Sequence, residues 1–154
     1  VNAIVDRLGD ADAKAIFTVD AQVRRRKTVP MKSVADKVAE RIPSLSHMVV
    51  LKLTGTPVDM KEGRDHWWNE LITHQADSAK TEITDAETPM MIIYTSGTTG
   101  LAKGAVHTHC GFPIKSAQDM AFGTDLHAGE IIYWMTDMGW MMGPWLVFGA
   151  LILG

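Results

Sequence analysis

Between Tyr94 and His109 the chain reads YTSGTTGLAKGAVHTH, and its hydroxyls, glycines and single lysine are the residue types that hold phosphate. A phosphate needs several N–H and O–H donors converging on one point, with cationic charge to offset its own. Gly97 and Gly100 let the backbone fold tightly enough to aim amides inward and remove the Cβ atoms that would hold a ligand away. Thr95, Ser96, Thr98 and Thr99 supply hydroxyls, and Lys103 can reach outer phosphates as a mobile point charge. The spacing is not that of a Walker A loop: two residues separate Gly97 from Gly100, and Gly104 rather than Ser or Thr follows Lys103. A plain Thr/Ser/Gly connection between two elements is the alternative that composition leaves open. The position directly after the apolar run MMIIY favours phosphate, because open parallel sheets gather ligands at the C-terminal ends of their strands.

A second block, YWMTDMGWMMGPW, places Trp140, Met141, Met142 and Gly143 after an Asp-x-Gly turn signal. Flexible, apolar methionines suit the wall of a pocket, and core packing accounts for them equally well on residue type alone. His107, His109 and His127 do not suggest a metal centre, since no Asp or Cys completes a cluster at usual ligand spacing. The lone Cys110 cannot form an internal disulfide, which favours a reducing, cytoplasmic setting. The one basic run, Arg24-Arg25-Arg26-Lys27, lacks interleaved aromatics and sits in a chain of net charge −3, so it reads as a solvated turn and no nucleic-acid partner is expected.

These residues must be positioned by a folded scaffold. A length of 154 residues, 46% hydrophobic and 21% charged, is that of an ordinary globular domain. Val1, Ile4, Val5 and Leu8 fall on one helical face that Gly9 ends, and AKAIFTVD reads as a short buried strand closed by Asp20. Met31, Val34, Val38 and Ile42 mark a second helix, stopped by Pro43, and HMVVLKL a second strand. Alternating helix and strand predict an α/β fold with a mostly parallel sheet and helices on both faces. GRDHWWNELITHQ is expected as a helix with Trp67 and Leu71 inward and Trp68 as a further candidate for that face. The polar stretch 76–89 reads as a linker, giving an upstream β/α segment over 1–88 and a phosphate-loop and acyl-pocket segment over 89–154. MMIIY is expected as a third strand, 111–126 as largely helical, EIIYWMTD as a fourth strand, and GWMMGPWLVFGALIL as a buried helix. Its apolar run is too short for a membrane span, which needs ~18–20 residues. The absence of an initiator methionine, and an apolar end without packing partners, suggest a cut within a longer chain and self-association through exposed apolar surface.

The stretch YTSGTTGLAKG resembles the phosphate-loop signature of the adenylate-forming, AMP-producing ligases, the acyl-CoA and acetyl-CoA synthetase family. That pattern is Tyr/Thr-Ser-Gly-Ser/Thr-Thr-Gly-x-Pro-Lys-Gly, and this chain departs from it by Ala102 where proline is usual. AVHTH resembles the continuation, and YWMTDMGWMMGPW resembles the family's Asp-x-Gly-Trp motif. AKAIFTVD and SLSHMVVLKL resemble two strands upstream of the loop. The resemblance implies part of a large N-terminal domain and a two-step reaction. A carboxylate attacks the α-phosphate of Mg²⁺-bound ATP and releases pyrophosphate, and the thiol of coenzyme A then captures the acyl-adenylate. It assigns phosphate binding to Thr95, Ser96, Gly97, Thr98, Thr99, Gly100 and Lys103, with Lys103 stabilising charge on the departing phosphates. It assigns the acyl and coenzyme A end to Trp140, Met141, Met142 and Gly143. Small or hydroxyl side chains are common where Met141 and Met142 stand, so a carboxylic acid other than acetate is equally compatible. The family's Tyr-Gly-x-Thr-Glu and Thr-Gly-Asp segments and its C-terminal catalytic lysine do not occur here, so the chain alone is expected not to complete adenylation. A non-catalytic nucleotide or phosphate sensor and an interaction module remain the alternatives.

Overall fold

A computed structural model describes residues 1–95 and 102–154. They divide into two compact units, Val1–Lys80 and Thr81–Gly154.

In the first unit, strands β1 (Ala15–Val19), β4 (His47–Leu51) and β5 (Asp65–Trp67) form a parallel sheet in the order β1-β4-β5. Ile16 lies opposite Met48, Phe17 opposite Val49 and Thr18 opposite Val50. Because side chains alternate along a strand, Ile16, Met48 and Val50 share one face, where they pack with Ala35 of helix α2 (Met31–Ala39) and with Trp67. Phe17 and Val49 point to the reverse face, where Trp68, at the start of helix α3 (Trp68–Thr73), meets the Phe17 ring edge-on at 6.1 Å. Helix α1 (Asn2–Asp10) lays Ile4, Val5 and Leu8 against Val38, Ile42 and Leu45. The α/β class with a parallel sheet is therefore realised. One element differs from expectation: residues 65–67 pair with β4 as a strand before the helix begins. Burial of the Asp65 carboxylate and of Trp67 outweighs helical continuity there.

The basic run forms an exposed turn, as expected. It joins the antiparallel strands β2 (Ala21–Arg24) and β3 (Lys27–Pro30), with Arg25 and Arg26 at φ of 50° and 63°. Asp20, 0% exposed, fastens this hairpin to the sheet. Its carboxylate accepts hydrogen bonds from the amides of Ala21, Leu53, Thr54 and Thr56, and its carbonyl accepts those of Met31 and Lys32. Burial alone would raise its pKa, but those amides overcome it and hold the carboxyl far below its ordinary value of 3.8. Nearby, Lys32 Nζ lies 2.7 Å from Asp36 and 2.8 Å from Asp65, and Arg64 bridges the same two carboxylates. The buried Lys32–Asp65 pair is thus neutralised and flanked by the half-buried Arg64 and Asp36, which is the condition for charges to sit inside a core.

In the second unit, β6 (Pro89–Thr95) and β7 (Lys103–Thr108) form an antiparallel pair. Helix α4 (Gly111–Gln118) runs on into a π-helical turn (Asp119–Gly123), and helix α5 (Met142–Leu153) packs against it. The core is Phe112, Met120 and Trp145, with Met91 and Ile93 of β6 against it. Close approach of α4 and α5 requires Gly149, where a Cβ would lie 2.5 Å from the Met120 sulfur. No described helix is long and apolar enough to cross a membrane.

Two expectations for this unit are corrected. Strand β7 runs back along β6, so the apolar run before the glycine-rich segment belongs to an antiparallel pair and not to a parallel sheet. Residues 130–137 form no strand among the described residues. Their alternation is nevertheless realised: Ile132 packs into the core and Trp134 meets the Trp145 ring at 5.6 Å, whereas Ile131, Tyr133 and Met135 are more than 80% exposed. What the segment lacks is a neighbouring strand to complete its hydrogen bonds.

Candidate functional site

The ends of the glycine-rich segment are set by β6 and β7. Apolar Met91, Ile93 and Tyr94 fit a half-buried pleated surface and carry the chain to Thr95, while Lys103 begins the return strand. Thr95 lies directly opposite Lys103, so their Cα atoms stand at a cross-strand separation of about 5 Å. Directly opposed side chains project from the same face, which puts a hydroxyl and an ammonium side by side where the strands part. Lys103 is exposed and free to extend. Ser96, Gly97, Thr98, Thr99 and Gly100, the remaining phosphate candidates, lie outside the described residues.

Following that face along β7 leads to Ala105 and then His107, whose ring meets Phe112 edge-on at 4.9 Å. A cavity of about 390 Å³ opens there, bounded by Val106 and His107, by Phe112 and Lys115 of α4, and by Met141 and Trp145 at the start of α5. Its size falls within the roughly 300–1,000 Å³ of small-molecule pockets. The four positions from Lys103 to His107 span about 13 Å of strand. A polyphosphate group at the first and an organic group at the second would fit one ligand.

The Asp-x-Gly-Trp block forms the tight corner that feeds α5. Asp137 Oδ1 accepts from the Gly139 amide at 2.7 Å, and its carbonyl accepts from that of Trp140 at 3.0 Å. The Gly143 amide then donates to the Trp140 carbonyl at 2.9 Å. Gly143 is buried, and a Cβ there would lie 2.7 Å from the Met138 Cα and 2.8 Å from the Asp137 carbonyl. Only glycine lets the corner close this tightly. Of the pocket candidates, Met141 lines the cavity, and Trp140 and Met141 are 71% and 51% exposed. Met142 packs against the core and Gly143 serves the corner. Sequence reasoning weighed His107 for a metal centre, not for a pocket, and passed over Phe112 and Trp145. The four-residue spacings Phe112/Ser116 and Met141/Trp145, each placing a pair on one helical face, were the available signal. No group of three metal-ligating side chains occurs among the described residues.

The class defined by this arrangement is settled by comparison: residues 1–154 match the family described as AMP-binding enzyme, and the chain belongs to that family. Among curated relatives it is similar to an acetyl-coenzyme A synthetase of Methanothrix thermoacetophila, 43% identical over 96% of this chain, and to one of Escherichia coli, 38% identical over 99% of it. Among solved structures it is similar to acetoacetyl-CoA synthetase from Streptomyces lividans, with a TM-score of 0.84 and 27% identity over 97% of the chain. The chain spans 23–24% of the length of these proteins.

Proposed function

We propose that this chain is the phosphate-loop and acyl-pocket portion of an AMP-forming acid–thiol ligase, which converts a carboxylic acid, ATP and coenzyme A to acyl-CoA, AMP and pyrophosphate. The observation that carries the proposal is the shared face of β6–β7: Thr95 and Lys103 stand at one end and the cavity walled by Met141 and Trp145 at the other. Mg²⁺-bound ATP would place its β- and γ-phosphates at the first. Lys103, with Thr95, Ser96, Gly97, Thr98, Thr99 and Gly100, would stabilise charge as pyrophosphate departs, a contribution worth several kcal/mol in preorganised sites. The acyl group would occupy the second, with Trp140 and Gly143 shaping its approach to coenzyme A. A reducing, cytoplasmic setting fits the unpaired Cys110.

Calorimetric titration of Mg²⁺-bound ATP and of pyrophosphate into the chain and into Lys103→Ala tests this reading. Binding weakened at least about tenfold in the variant supports it, a loss in the range expected for a charge-assisted contact. Equal binding by both proteins removes Lys103 from the site. The adenine and ribose signature segments are absent from residues 1–154, so the expected result is binding without turnover. A nucleotide sensor would instead bind ATP tightly without those segments, and the same titration separates the two.

A further inference from the structure

We propose that Gly104 is a positioning residue for Lys103, acting through the Tyr94 and Ile92 side chains that occupy the place of its missing Cβ; the inference rests on the phosphate-binding reading above. Tyr94 lies opposite Gly104, and Ile92 opposite Val106, on the face of the hairpin that points away from Lys103. A Cβ on Gly104 would lie 2.8 Å from Ile92 Cγ2 and 3.2–3.3 Å from the edge of the Tyr94 ring. An aromatic laid over a cross-strand glycine covers backbone that would otherwise be bare, and it pins strand register. Ile92 is branched at Cβ and stiff at χ1, so its methyl yields less readily than the end of a long flexible side chain. A side chain at 104 must therefore push the strands apart at the pair adjoining Thr95 and Lys103.

Strand alternation turns that displacement into a functional one. Gly104 faces outward and Lys103 inward, so lifting β7 on the outer face tilts the lysine's root relative to the Thr95 hydroxyl on the inner face. The φ of Gly104 does not lie in the left-handed region, and steric room is the whole demand.

The test has two readouts on the whole chain, pyrophosphate affinity by calorimetry and hydrogen exchange of the backbone amides at 93–95 and 103–105. Gly104→Ala is expected to weaken pyrophosphate binding about tenfold or more, as misplacement of a positioned group does. The same variant should speed exchange of the cross-strand amides by about tenfold. Ile92→Ala removes the nearest clashing methyl, so Ile92→Ala/Gly104→Ala should recover most of both. Gly149→Ala serves as the control, since a still more crowded glycine remote from Lys103 should leave pyrophosphate affinity unchanged below its melting transition. Should Gly104→Ala match the parent in affinity and exchange, or should the double variant fail to recover them, the inference is overturned. If Gly104→Ala does not fold, recovery in the double variant decides alone. Failure of the parent chain to bind pyrophosphate would remove the phosphate reading, while the exchange comparison would still decide whether Gly104 sets the geometry of β7.

Discussion

The carboxylate of Asp20 takes both the amide and the hydroxyl of Thr54, at 3.1 and 3.2 Å, joining the end of β1 to the loop after β4. Asp20→Asn would turn an NH₂ group toward amides that already donate, so the variant is expected to melt at least about 5 °C below the parent at pH 7, read by circular dichroism. The pH dependence follows from the sign of the shift. Asp20 and Asp65 both titrate far below 3.8, despite burial that alone would raise them: amide donors outweigh it at Asp20, and Arg64 and Lys32 at Asp65. Their stabilisation is fully present above the unfolded-state pKa and is lost progressively as pH falls from there through the lower folded-state pKa. The urea midpoint should therefore hold from about pH 7 to 5 and drop below about pH 4, with a shallower drop in Asp20→Asn. Parallel curves for parent and variant would show that Asp20 does not carry the acid sensitivity.

Gly149 has no room for a methyl group, because Met120 Sδ and the Ser116 carbonyl lie 2.5 and 2.9 Å from where its Cβ would stand. Gly149→Ala gains helix propensity and forces α4 and α5 apart. Overpacking is the larger effect, and a net loss of about 1–3 kcal/mol is expected in urea unfolding. A neutral or stabilising result would mean that Met120 can swing clear.

Met141 and Trp145 make the cavity at the start of α5 a volume that side-chain size controls. Titration of short carboxylates followed by NMR should shift the Met141 ε-methyl and Trp145 indole signals more with butyrate than with acetate, since each added methylene gains about 0.8 kcal/mol when buried. Met141→Trp should abolish those shifts. Shifts that are identical for both acids, or that survive the substitution, would place the acyl group elsewhere.

Phe122, Ile131, Tyr133, Met135 and Leu151 are all more than three-quarters exposed in the second unit. We propose that this surface drives self-association, so sedimentation velocity should show a coefficient rising with concentration. A constant monomer value up to high concentration would count against it.

Periodicity made much of this fold readable. Val38 and Ile42 fell at helical spacing and Met48 and Val50 at strand spacing, because each had a core to face. The failures came where pairing, not residue type, decided the outcome. EIIYWMTD has the alternation of a strand without a neighbour, whereas KGAVHT contains glycine and a single strongly β-prone valine yet pairs fully with β6. DHW forms a strand because Asp65 must reach Lys32, a charge that comes from a distant position. The phosphate reading of the loop rests on composition, and Ser96 to Gly100 lie outside the described residues. The cavity was not legible, because its walls come from three elements that meet only on folding.

The hairpin also divides the chain by how soon each part can form. Thr95 meets its partner only eight positions later, whereas Ala15 must wait for His47, and β5 comes later still. Local antiparallel pairings close in about 1–10 µs, while parallel pairings bear the entropy of long intervening loops. The strands that frame Lys103 can thus assemble from their own sequence while the sheet of the first unit is still searching for its order.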